Sequence, residues 1–174
     1  MEKHQHRQEP SKLLVDFIGL FPKGKTLDIA MGEGRNALYL AAQGFEVEGL
    51  EKDEQAIAAC LAAAKSGGLK LIARTVDLEN YQLTRDRYDL IICFYYLQRS
   101  LIPRIKESLK SGGMVVYETF LIDNHLQFGH PKHREYCFEH NELLNFFRDF
   151  RVLYYREGMI EDRLAAAQII AQKP

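Results

Sequence analysis

The sequence predicts an α/β three-layer sandwich: a seven-stranded, mostly parallel sheet that ends in an antiparallel hairpin, with helices on both faces. Three observations carry that expectation. Short apolar, β-rich runs alternate with stretches of helical period almost from end to end. The most apolar run, Tyr88 to Phe94 (YDLIICF), has the unbroken hydrophobicity of a strand covered on both faces. Late in the chain, Phe150 to Tyr155 and Ala165 to Ala171 both read as strands with no helical segment between them. A parallel pairing would need a crossover of a dozen or more residues, so these two must form a hairpin around Glu157 to Arg163.

The elements follow in order. A polar arm, Met1 to Pro10 (MEKHQHRQEP), precedes a helix in which Leu14, Phe17, Ile18 and Phe21 repeat at helical spacing up to Pro22-Lys23-Gly24. A strand near Lys25 to Ala30 runs into a glycine turn from Met31 to Gly34. A helix then spans about Arg35 to Gln43 and closes at Gly44. The second strand is Phe45 to Leu50. Asp53 caps the Ala-rich helix EQAIAACLAAAK, and Ser66-Gly67-Gly68 ends it. The third strand is Leu69 to Val76, and Asp77 to Arg87 leads to the central run. A helix from about Leu101 to Leu109 tolerates Pro103 in its first turn. Gly112-Gly113 opens a fifth strand, Met114 to Thr119. Leu121 to His140 (LIDNHLQFGHPKHREYCFEH) has no clear period and is long for a structureless loop, a kind that is usually functional or mobile. Glu142 to Arg148 reads as a short helix.

Composition narrows the class. At 174 residues the chain is expected to be one domain, 1–174, with residues 1–10 as a flexible arm. Hydrophobic residues are 47% and charged residues 27%, an ordinary globular balance. The charge, 23 − 24 = −1, supplies no field for a nucleic acid, so no nucleic-acid partner is expected. Apolar runs fall far short of the roughly 20 residues that span a bilayer, so no membrane partner is expected either. The polar N-terminus lacks an export signal's apolar stretch, and a cytoplasmic location follows as an expectation. Cys60, Cys93 and Cys137 are widely spaced without a CxxC, which fits reduced thiols. Nothing in the sequence fixes an oligomeric state.

The informative segment is Thr26-Leu-Asp28-Ile-Ala30-Met-Gly32-Glu-Gly34-Arg-Asn36-Ala37. A strand feeds a glycine turn that opens a helix, so backbone can approach a ligand closely and helix N–H groups point toward it. In a parallel sheet this turn lies at the carboxyl edge, where ligands bind. Gly32-x-Gly34-x-x-Ala37 satisfies the dinucleotide fingerprint, and Glu51 stands where a ribose-binding acid is expected, which admits a nicotinamide-dependent oxidoreductase. Charge favours another ligand. Asp28 ends the strand where a pyrophosphate would lie, and a carboxylate repels phosphate there. S-adenosylmethionine instead offers an ammonium and a sulfonium, which an acidic residue stabilises.

These residues resemble the class I S-adenosylmethionine-dependent methyltransferases, and most closely the small tellurite-resistance-type methyltransferases, over roughly Thr26 to Lys173. Asp28-Ile-Ala-Met-Gly32-Glu-Gly34 is similar to the acidic-x-G-x-G-x-G motif, with Ala30 in place of the first glycine. Arg35-Asn36 before an Ala/Leu/Tyr helix is the trait that points to the tellurite-resistance type. The resemblance implies a Rossmann-like fold, S-adenosylmethionine as cofactor and S-adenosylhomocysteine as product. It further implies that Glu51 binds the ribose hydroxyls and that Asp77 meets the adenine amino group, with Leu78 supplying a backbone N–H. Tyr88-Asp89-Leu-Ile-Ile-Cys-Phe matches the fourth-strand motif, and Lys110-Ser-Gly-Gly-Met-Val-Val-Tyr-Glu118 the lead into the fifth. The candidate cofactor contacts are therefore Asp28, Ala30, Gly32, Gly34, Arg35, Asn36, Glu51, Lys52, Asp77, Leu78, Phe94 and Tyr95; Tyr95, Tyr96 and Leu97, just past the fourth strand, could line the methionine tail or simply cover the sheet edge.

The reaction expected is methyl transfer to a small-molecule acceptor by in-line displacement at the sulfonium methyl. The leaving group is already activated, so the protein's tasks are positioning and exclusion of water. A base is needed only for an acceptor that must lose a proton; a thiolate or a selenium or tellurium oxyanion needs none. His125, His130 or His133 could serve, since imidazole titrates near neutrality, and Glu118 could orient the acceptor. The catalytic candidates are His125, His133 and Glu118. The loop from His125 to Tyr136 is expected to cover the methyl donor and contact the acceptor, with Lys132, His133 and Arg134 favouring an anionic or electron-rich one. His125, His130, His133, Cys137 and His140 include zinc-ligand types, but their spacing matches no common structural module, and no metal is expected. His4 and His6 fall in the arm. A cofactor-binding module without turnover is a further reading, and fold and cofactor do not determine the acceptor.

Overall fold

The computed structural model describes residues 8–174. The expectations for residues 1–7, among them His4 and His6, lie outside the described residues. Seven strands form one sheet: β1 Lys25–Ile29, β2 Glu46–Glu51, β3 Leu71–Thr75, β4 Tyr88–Phe94, β5 Leu109–Phe120, β6 Arg151–Glu161 and β7 Leu164–Gln172. Their order is β3-β2-β1-β4-β5-β7-β6. β1 to β5 pair in parallel, whereas β7 runs antiparallel to both β5 and β6. The expected fold class, with its central fourth strand and terminal hairpin, is the observed one.

The pleat sends alternate side chains to two apolar layers. Leu90, Ile92 and Phe94 of β4 join Met114 and Val116 of β5 on one face. There they meet α1 (Lys12–Phe17), α2 (Arg35–Ala42) and α3 (Glu54–Ser66), through Leu14, Leu40 and Ile57 among others. Ile91, Cys93, Val115 and Tyr117 point to the opposite face, beneath α4 (Ile102–Ser108), α5 (Ile122–Phe128) and α6 (Glu142–Phe146). Two-faced burial is why the central strand reads as an unbroken apolar run. Asp53 caps α3 as expected, accepting from the N–H groups of Gln55 and Ala56. The three cysteines are free and buried.

Three departures from the sequence reading are larger than the one- or two-residue shifts at other element ends. β5 begins at Leu109, because Leu109 pairs with Tyr88 across an irregularity that the two following glycines accommodate. The hairpin strands run nearly to the tip, with Glu161 opposite Leu164, so the turn is only Asp162-Arg163. Residues 121–140 hold a helix, α5, and a short 3-10 turn at Arg134–Tyr136. α5 escaped the apolar period because one of its two buried positions is Asn124, whose side chain bonds the Ala165 N–H at 2.7 Å and the His130 carbonyl at 2.7 Å. The segment then returns along the sheet end, where the Phe138 N–H donates to Phe120 and the Ile122 N–H to Phe138. Arg99 pins it further, binding the Glu142 carboxylate and the carbonyls of Glu135 and Cys137. No helix among the described residues is long and apolar enough to cross a membrane.

Candidate functional site

The site grows from the carboxyl end of β1. Ala30, Gly32 and Gly34 have φ of +54°, +57° and +80°, so the chain reverses sharply before entering α2. The turn is held by Met31 N–H to the Leu50 carbonyl and Gly34 N–H to the Met31 carbonyl, both 3.0 Å. Ala30 therefore sits in a conformation that costs a residue with a Cβ about 1–2 kcal/mol. Ala30→Gly relieves that strain but adds unfolded-chain entropy, so urea unfolding is expected to show a change between zero and about 1 kcal/mol of stabilisation. A clear destabilisation would mean that the methyl group packs usefully. At Gly32 a Cβ would meet nothing within 4 Å, which leaves that side of the turn open to a ligand.

Asp28 lies beneath the turn, 2% exposed. One carboxyl oxygen, Oδ2, is buried without a hydrogen-bond partner. Burial pushes its pKa up to about 8, against the opposing influence of Arg35 and of the Ala37 N–H that donates to it. Glu51, at the end of β2, is the clasp. Its Oε2 accepts from the Gly32 N–H at 2.9 Å, and its Oε1 from the N–H groups of Lys52 and Asp53 at 2.8 and 3.0 Å. A carboxylate has about four acceptor positions, so Glu51 keeps capacity for a ligand hydroxyl. The Lys52 side chain is exposed. Past β3, Asp77 folds back on the Glu79 N–H and the Asn80 amide in an exposed turn, and Leu78 is buried.

Phe94 is buried at the end of β4, and Tyr95 follows with φ +54°. The Tyr95 hydroxyl donates to Glu118 Oε1 at 2.6 Å. Its ring lies 5.0 Å from Phe120, which is 4.9 Å from His130. Glu118 is 4% exposed; its Oε2 accepts from the Gln168 amide at 2.8 Å, and Gln168 Oε1 accepts from Tyr154 at 3.1 Å. Burial raises the Glu118 pKa, opposed by the Tyr95 and Gln168 hydrogen bonds and by Arg35. Glu118, Gln168, Tyr154 and Arg35 share a cleft of about 970 Å³ roofed by residues 8–17. Arg35 links the two halves, since its charge acts on both Asp28 and Glu118.

The structure thus gathers Asp28, Ala30, Gly32, Gly34 and Glu51 around one turn, with Phe94, Tyr95 and Glu118 along the neighbouring strand ends. Arg35 and Asn36 grip the N-terminal segment: Arg35 donates to the Glu9 carbonyl, and Asn36 accepts from the buried Ser11 N–H. The two histidine candidates are engaged within their own segment. His125 Nδ1 lies 2.8 Å from the Pro131 carbonyl, and the exposed His133 packs edge-on against Tyr136. His140 pairs with Asp123, which raises its pKa, and Cys137 is buried. No group of three metal-ligand side chains is gathered among the described residues. Sequence reasoning missed Gln168 and Ser11. Neither carries a local motif, and both act through partners far along the chain.

A strand order of 3-2-1-4-5-7-6 with one antiparallel strand, an acid and glycine turn after β1 and a second acid ending β2 is the arrangement of the Rossmann-like methyltransferase fold class. The chain belongs to the family described as tellurite resistance protein TehB, which matches residues 3–168. It is 27% identical over 155 residues to a probable S-adenosyl-L-methionine-dependent methyltransferase TehB of Haemophilus influenzae, covering 85% of this chain and 53% of that relative. The chain thus spans about half the length of that relative. The crystal structure of TehB from Haemophilus influenzae superposes with a TM-score of 0.80 at 22% identity, over 94% of this chain and 62% of that one. A SAM-dependent methyltransferase from Methanosarcina mazei gives 0.74 at 21% identity, over 95% and 98%. S-adenosylmethionine is the family's cofactor, which removes the glycine turn from the dinucleotide reading.

Proposed function

We propose that the chain transfers a methyl group from S-adenosylmethionine to a small-molecule acceptor bound in the cleft beside Glu118. The observation that carries this reading is the unpartnered, buried oxygen of Asp28 under an open glycine turn. A buried carboxyl left half-satisfied is costly, and a cationic ligand group compensates it where a phosphate would not. The other donors and acceptors fit the rest of that cofactor. Glu51 would accept from ribose hydroxyls, Asp77 and the Leu78 N–H would meet the adenine edge, and Tyr95 would line the methionine end.

When bound, S-adenosylmethionine supplies a methyl group on an activated sulfonium. The remaining work belongs to the chain. Glu51 holds the turn and the β2–α3 connection in one geometry, which fixes where a ligand can lie. The N-terminal segment, latched by Arg35 and Asn36, and the β6–β7 hairpin wall the cleft and would leave little room for water once a ligand fills it.

Titration calorimetry with S-adenosylhomocysteine, run in parallel with NADH, tests the reading. Micromolar binding of the first and none of the second is expected, with Glu51→Ala weakening it about tenfold or more. Absence of S-adenosylhomocysteine binding at millimolar concentration would overturn it.

A further inference from the structure

We propose that Gln168 is a positioning residue of the cofactor site: acting through Glu118, it holds Tyr95 in place at the methionine end of S-adenosylmethionine. The assignment rests on the methyl-transfer reading above and gives a part in it to a residue of β7, the third strand over from the glycine turn of β1.

Tyr95 is held at two points by one residue. Its N–H donates to the Glu118 carbonyl at 2.8 Å, and its hydroxyl to Glu118 Oε1 at 2.6 Å. Its φ of +54° is a conformation that a residue with a Cβ adopts only at a cost, and such strain persists where the surroundings over-determine it. Tyr95 leaves the end of β4, which pairs directly with β1 and so stands beside the glycine turn. Fixing Tyr95 therefore fixes one wall of the cofactor site.

Gln168 sets which way the Glu118 carboxylate faces. The β5–β7 register places Gln168 opposite Glu118, and both side chains are more than nine-tenths buried. An ionised carboxylate only accepts, so the Gln168 NH2 turns to Glu118 Oε2 at 2.8 Å. The Gln168 oxygen is thereby turned the other way, to the Tyr154 hydroxyl at 3.1 Å. The Tyr154 ring in turn packs 4.9 Å from Phe17, in the roof of the cleft. The row Tyr154–Gln168–Glu118–Tyr95 thus runs by hydrogen bonds from the roof to the end of β4, and each member orients the next.

The amide also favours the charged form of Glu118. Burial and Glu161 of β6 raise the Glu118 pKa, while the Tyr95 and Gln168 hydrogen bonds and the charge of Arg35 from α2 lower it. Glu9 of the N-terminal segment, Lys12 and Asp16 of α1 and Arg156 of β6 line the same cleft, and Asp28 of β1 faces the same Arg35. Without the Gln168 N–H, the carboxyl takes up a proton at higher pH. A neutral carboxyl is the weaker acceptor, so Tyr95 then loses its hold.

The test is a double-mutant cycle on the full chain, with S-adenosylhomocysteine binding read by calorimetry and folding of each variant checked by urea unfolding. Gln168→Met keeps a long side chain that can neither donate to Glu118 nor orient it. It is expected to bind roughly three- to tenfold more weakly at pH 7. Tyr95→Phe and the double variant should lose about as much and no more, because both substitutions break one row at different places. A role in folding alone would leave the two losses independent. The deficit of Gln168→Met should also fade as pH rises, since Glu118 then ionises in the variant as well and engages Tyr95 again. Where Gln168→Met fails to fold, Gln168→Asn takes its place in the cycle, its amide stopping one methylene short of Glu118. Wild-type affinity in the Gln168 variant, losses that multiply in the double variant, or a deficit equal at every pH would overturn this proposal alone. Wild-type protein that fails to bind S-adenosylhomocysteine at millimolar concentration would overturn the methyl-transfer reading with it.

Discussion

The Asp28→Asn variant is expected to be more stable than wild type above pH 8, by on the order of 2–3 kcal/mol in the ligand-free protein, and to bind S-adenosylmethionine about tenfold more weakly or worse. The sign follows from the raised pKa. In the unfolded chain Asp28 titrates near 3.9, whereas burial moves it to about 8 in the folded protein. Between those values the folded state holds a proton that the unfolded state has released. The contribution of Asp28 to stability is therefore complete below about pH 4 and is lost as pH rises through about 8. The Asp28→Asn variant retains an acceptor for the Ala37 N–H but carries no charge to bury, so its stability should lack that slope. Urea melts of both proteins at pH 4.5, 7 and 9 measure it; parallel curves at all three would refute the account. The opposite effects on stability and binding would mark Asp28 as a group kept for its ligand. Cofactor binding to wild type below pH 8 should also release a proton, read as a buffer-dependent heat.

Gly34→Ala should destabilise the fold by about 2–5 kcal/mol. Two costs add. The residue has φ +80°, and an added Cβ would stand 2.3 Å from Cys60 Sγ, so α3 would have to move off the turn. Cys60→Ala separates the two costs, because it removes the sulfur but leaves the backbone conformation. In a double-mutant cycle, Cys60→Ala should recover the packing part of the loss and leave the conformational part of about 1–2 kcal/mol. Full additivity of the two single changes would show that the turn does not rest on Cys60.

The fold was largely legible because its signals are local. The unbroken run from Tyr88 to Phe94 follows directly from burial on two faces, and the adjacency of two strands without a crossover forced the hairpin. α5 was hidden because a buried asparagine replaced an apolar residue in a helix of two turns. The glycine turn and Glu51 were also readable, since their spacing along the chain reflects their neighbourhood in space. Glu118 could be placed at a strand end, but its partners could not. Gln168 reaches it only through the antiparallel register that sets the two opposite each other, and nothing in either segment announces that register. Arg35 and Asn36 show the reverse case: a recognisable dipeptide whose side chains hold Glu9 and Ser11, a contact between segments about 25 residues apart.

The order β5-β7-β6 has a consequence for how the chain is made. A ribosome delivers residues 151–161 before residues 164–172, yet β6 has no place in the sheet until β7 lies between it and β5. Until residue 172 is free to move, the outer edge of β5 stays an open row of peptide groups, and the Ala- and Ile-rich β7 sequence has nothing to cover it. An unpaired edge next to an apolar segment invites pairing with another nascent copy. Slow delivery of β7 should therefore favour aggregation over folding, and the interval between the emergence of residues 151–161 and that of residues 164–172 should weigh on the yield of native protein.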